Sequence, residues 1–206
     1  MSKSKKDAKV ASIIINLIVV LWMSYCVYNM MTRGLSGNMS GSKFVSFRYY
    51  TIDSNIFASL SCLWMFVSRI VDKQPSSFAT RFKFFGTCTV MVTFITVIGF
   101  LGPIFGYNQM FAGDNLYMHL IGPVLCLISF CFLDKGPRVT MKDVFKALIF
   151  TLLYGILYFV MVIIVKKWPD FYGFNMGGKW YFSFVGMMVL AFVIAVIVKA
   201  LHNDKG

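Results

Sequence analysis

Residues 117–134 read YMHLIGPVLCLISFCFLD, an apolar run with His119 set inside it. About 20 consecutive apolar residues suffice to cross a bilayer as a helix, and an ionisable side chain within such a run is costly unless it is paired or used. The other histidine, His202, falls in the polar C-terminal stretch LHNDKG. His119 is therefore the one ordinary neutral-pH proton acceptor expected within the membrane.

Similar runs surround this one. Spans are expected at about residues 10–31, 51–71, 84–105, 116–132, 144–165 and 181–200. With 58% hydrophobic residues and a mean hydropathy of +0.73, the 206-residue chain is far more apolar than a soluble domain. The expected fold is all-α: one transmembrane domain, residues 1–206, a bundle of six helices without repeats or a soluble module. The first run follows the basic MSKSKKDAK like a signal peptide, but it is long and lacks a small-x-small cleavage pattern, so it is read as a helix. Between the spans lie polar or Gly-rich connections: TRGLSGNMSGSKFVSFR, VDKQPSSFATRFK, GYNQMFAGDN and DKGPRVTMKD. The first holds the sequon Asn38-Met39-Ser40, relevant where a host glycosylates and the loop faces outward. The last, KKWPDFYGFNMGGKW, combines cations with Trp168, Phe171, Tyr172 and Trp180, a pattern expected at headgroup level.

The net charge of +12 does not point to nucleic acid, because the cations sit in the connections and not along one face. They read as topology signals and contacts to membrane lipids. Counted by side, 14 Lys and Arg flank the termini and the even-numbered connections, against 6 on the other side. Both termini are thus expected in the cytoplasm. Cys26, Cys62, Cys88, Cys126 and Cys131 lie in apolar runs without metal-ligand spacing and read as small core residues; no metal or cofactor is expected. Thr87, Thr89, Thr93 and Thr96 read as hydroxyls bonded back to their own helix.

The topology places the start of the second span and the start of the fourth on the same, non-cytoplasmic side. Thr51 and His119 then differ in depth by on the order of 5 Å. Thr51, Asn55, Ser59 and Cys62 form one stripe, and His119, Pro123 and Cys126 share a face, with Gly122-Pro123 expected to bend the helix. If the helices are neighbours, neutral His119 can take the Thr51 proton as the hydroxyl attacks an ester carbonyl. Asn55 could donate to the oxyanion or position the pair. Asp53 projects elsewhere and is expected to pair with Arg48 at the interface. Periodicity alone equally accommodates His119 as a structural histidine bonded to a helix carbonyl, Thr51 as a helix N-cap and Asn55 as interhelical glue.

YYTIDSNIFASL (residues 49–60) and MHLIGPVLCLI (residues 118–128) resemble segments of the androgen-induced protein family of integral membrane threonine hydrolases, and of related short bacterial membrane proteins. The resemblance implies that Thr51 and His119 are a catalytic pair, that no metal is needed, and that the partner is an acyl-chain lipid, such as a fatty acid ester of a hydroxy fatty acid. WPDFYGFN matches the family's aromatic and Pro-containing segment only loosely. Two other functions fit the same residues: a membrane acyltransferase using the same pair, and a small transporter or lipid-binding protein whose polar residues line a pathway without covalent chemistry.

Overall fold

A computed structural model describes residues 3–33, 43–72 and 74–204. Among them are six helices long and apolar enough to cross a membrane: α1 (Lys3–Arg33), α2 (Tyr50–Val71), α3 (Ser77–Phe105), α4 (Asp114–Leu133), α5 (Met141–Ile164) and α6 (Trp180–Asp204). No strand occurs among the described residues, as expected of an all-α bundle. The Asn38 sequon lies outside the described residues.

α3 is the hub. It packs against α2, α4, α5 and α6, and α1 closes the other side against α2 and α4. Its most apolar window is 56% buried, whereas that of α5 is 17% buried, leaving α5 largely to lipid. α2 and α3 approach closely because their contact is built from small residues, as helix pairs in lipid require. A Cβ placed on Gly86 would stand 3.0 Å from the Ala58 Cα, with the Ser61 side chain also in the way. Gly86→Val should therefore destabilise the bundle by about 1–3 kcal/mol, read as a lowered melting temperature in detergent. An unchanged melt would show that the contact is loose.

α3 begins earlier than the expected residue 84. Ser76 caps it by accepting from the Ala79 N–H, so the polar stretch FATRFK is helical and not a connection. Its cation Lys83 is wholly buried and Arg69 of α2 is 5% exposed, so these two do not contact headgroups. Lys83 Nζ donates to Asn16 Oδ1 (2.8 Å) and meets Cys62 Sγ (2.6 Å), while Arg69 Nε donates to Ser12 Oγ (3.2 Å). The carboxylate of buried Asp134 completes this network, accepting from Ser12, Asn16 and Ser129. α6 also runs past the expected end. His202 is thereby in the bundle, not a polar tail: it is 3% exposed, stacks on Phe130 and approaches the Phe130 carbonyl at 3.0 Å.

All five cysteines are buried, in keeping with their reading as core residues. The threonines divide. Thr89 bonds back to Gly86 O, but Thr93 meets Ser54 on α2, Thr96 reaches Met187 on α6, and the Thr87 hydroxyl has no hydrogen-bond partner among the described residues.

Candidate active site

α2 and α4 are neighbours, and their facing stripes meet at two depths. Near one end Thr51 faces His119; further in, the Cys62 and Cys126 sulfurs stand 3.8 Å apart. Between them the α2 face continues through buried Asn55 and Ala58, the latter in place of Ser59, which is rotated partly out.

Thr51 is not a helix N-cap. That position belongs to Tyr49, whose extended backbone follows a 3₁₀ turn over Lys43–Arg48 and whose side chain makes no cap bond. Thr51 is the second residue of the helix, and its hydroxyl is not spent on a cap. It is 3% exposed, and Oγ1 lies 3.4 Å from His119 Nε2.

His119 sits on a π turn, Tyr117–Ile121, immediately before Gly122-Pro123. Proline lacks an N–H and cannot continue the regular hydrogen-bond ladder, so the expected bend takes this form. The turn delivers the ring between two partners. Nδ1 approaches the Met110 carbonyl at 2.6 Å. A carbonyl only accepts, so Nδ1 carries the proton; in the neutral ring Nε2 then presents its lone pair to Thr51. The Met110 carbonyl comes from a short helical turn, Tyr107–Met110, in the connection between α3 and α4. It occupies the place that an orienting carboxylate holds in a serine triad. No residue type in the sequence signals it, because the group is backbone.

Asn55 is a tie, not an oxyanion donor. Its Nδ2 donates to Thr51 O (2.8 Å) and Met118 O (3.0 Å), so both amide protons are committed to joining the first turns of α2 to the π turn. In this arrangement no Asn55 amide proton is left for an oxyanion, and its two bonds suit the positioning role. Nor does Asp53 pair with Arg48: among the described residues the ion pair that forms is Arg81 with Asp143. The Arg48 guanidinium instead lies over the rings of Tyr49 and Phe171 and donates to the Tyr49 hydroxyl.

On the side away from α4, Thr51 borders a cavity of about 80 Å³ among α2, α3, α5 and α6. Its wall is mainly apolar and aromatic, including Val97, Leu101, Phe159, Trp180 and Phe184, with the hydroxyls of Thr93 and Thr151 between them. A shallower depression of about 400 Å³ between α3 and α6 shares Thr96, Phe174, Ser183 and Met187 with it. The two therefore adjoin along these shared residues.

The connection between α5 and α6 folds over this cavity. Asp170 organises it, accepting from the Tyr158 hydroxyl and from the N–H groups of Phe174 and Asn175. Tyr172 is consequently turned inward and 8% exposed, although its segment reads as a headgroup anchor. Among the described residues no cluster of His, Cys or Asp could hold a metal ion. The arrangement supplies a hydroxyl, an oriented base and an adjoining apolar space, the parts that acyl transfer needs. No protein-family model, curated protein or solved structure matches the chain.

Proposed function

We propose that this protein is an intramembrane hydrolase of acyl-chain lipid esters, with Thr51 as nucleophile and His119 as general base. The observation that carries the reading is the position of the Thr51 hydroxyl between an apolar cavity and the unprotonated nitrogen of an imidazole locked from behind. A separation of 3.4 Å is looser than a working hydrogen bond, as is common before substrate binds. The same pair is the one implied by the resemblance of the two segments to membrane threonine hydrolases.

In the proposed reaction the Thr51 proton passes to His119 Nε2 while Oγ1 bonds to the ester carbon. His119 returns that proton to the departing alcohol as the C–O bond breaks, leaving an acyl-threonine. Water, deprotonated by the same nitrogen, releases the fatty acid and restores Thr51. The α3–α6 flank admits the acyl chain, and with both termini cytoplasmic the site opens toward the outer leaflet. In a transport pathway without covalent chemistry there would be no need to lock the imidazole and aim it at a hydroxyl.

The test is covalent. An acyl-chain fluorophosphonate should label the purified protein at Thr51, located by peptide mass spectrometry, and Thr51→Ala should abolish labelling while leaving the melting temperature near that of the parent. Undiminished labelling of Thr51→Ala would refute the nucleophile. Product analysis with and without a lipid alcohol then separates hydrolysis from acyl transfer.

A further inference from the structure

With Asn55 committed elsewhere, the ester carbonyl oxygen that becomes anionic when Thr51 attacks still needs a donor, and the hydrogen bonds around the cavity point to one. Tyr50, Tyr154, Tyr158 and Tyr172 all border it. Tyr154 gives its proton to Arg48 O (2.6 Å), and Tyr158 gives its own to Asp170 (2.8 Å). The Tyr50 hydroxyl lies between Thr89 O and the Thr151 hydroxyl. Tyr172 donates to no carbonyl or carboxylate among the described residues. Its oxygen accepts the Tyr50 N–H at 2.9 Å and also meets the Tyr154 hydroxyl, whose proton is given to Arg48 O, and the backbone and hydroxyl of Thr51.

We propose that Tyr172 is a catalytic residue, whose hydroxyl donates the hydrogen bond that stabilises the oxyanion formed when Thr51 attacks. The inference rests on the hydrolase reading. As Oγ1 bonds to the carbonyl carbon, the C=O π pair moves onto oxygen; Tyr172 hydrogen-bonds that oxygen, keeps its proton, and lets the pair return when the alcohol leaves. The N-terminus of α2 strengthens this donor. An N–H bonded to the phenol oxygen draws electron density from it, and the helix dipole acts in the same sense. Burial raises the Tyr172 phenol above its ordinary value, so it stays protonated and able to donate. The ring is also held in place: its own N–H meets Tyr158 Oη at 3.3 Å, and it stacks on Tyr158. Preorganisation of this kind is what makes an oxyanion donor effective.

The experiment uses the full chain in detergent and the p-nitrophenyl ester of a long-chain fatty acid. Wild-type turnover that Thr51→Ala abolishes establishes the underlying reading. Tyr172→Phe should then lower kcat by about 10²–10³-fold with KM changed by less than about threefold. Placing 3,5-difluorotyrosine at position 172, a similarly shaped and more acidic phenol, should restore most of that loss. If Thr51→Ala is inactive but Tyr172→Phe keeps kcat within about threefold, the donor assignment alone falls. A loss in Tyr172→Phe that the fluorinated phenol does not restore would make Tyr172 structural and likewise overturn it. Equal turnover by wild type and Thr51→Ala would remove both ideas together.

Discussion

His119→Ala should lower kcat for ester hydrolysis by about 10⁴-fold, the upper end of what one general base contributes. A threonine hydroxyl is scarcely ionised at neutral pH, so its attack depends on an acceptor aligned as the bond forms. Nε2 at 3.4 Å is the acceptor available, and the Met110 carbonyl keeps the proton on Nδ1. His202 cannot substitute, since it is buried against Phe130 on the last turn of α6. Groups that act as one unit are not additive, so Thr51→Ala with His119→Ala should be scarcely slower than either alone. Steady-state hydrolysis measured beside a melting curve decides the matter. A His119→Ala protein within tenfold of wild type would remove the imidazole from the chemistry.

The elements of this site differed in how far they could be read in one dimension. Membrane spans announce themselves because each needs about 20 apolar residues, and all six expected runs lie within or close to observed helices. Their polar ends do not: Arg69 and Lys83 look like headgroup anchors until α1 and α4 are seen to surround them. The faces of α2 and α4 follow from helical spacing, which is why Thr51 with Asn55 and His119 with Cys126 could be placed on common stripes. Contact between those stripes depends on packing around α3, and local periodicity carries no record of it. Two parts of the site had no signature at all. The Met110 carbonyl is a group that every residue has, and Tyr172 is an aromatic in a connection where aromatics commonly meet headgroups. Only the fold of the Asp170 turn brings that phenol inward.

At the far end of the bundle, Asp134→Asn should cost about 3–5 kcal/mol of stability, the range seen when one partner of a buried ionic group is removed. Asp134 is wholly buried, and its carboxylate is the acceptor about which α1, α2, α3 and α4 converge. Asn16 spans the gap to Lys83, donating to Asp134 while accepting from the ammonium; Ser12 does the same for Arg69. The asparagine keeps the shape but not the charge, so two buried cations lose their counter-charge in a medium that screens little. Replacing the cation as well separates this cause from mere misfit. Lys83→Met in the Asp134→Asn background should recover part of the loss, because it removes one of the stranded charges, whereas Lys83→Met alone should destabilise. Unfolding in mixed detergent measures all three variants. An Asp134→Asn protein within about 0.5 kcal/mol of wild type would show that the carboxylate is not the counter-ion of this network. Hydrolysis per folded molecule should change little, since Thr51 and His119 meet at the opposite ends of α2 and α4 from Arg69 and Asp134, and separate sites are energetically nearly independent.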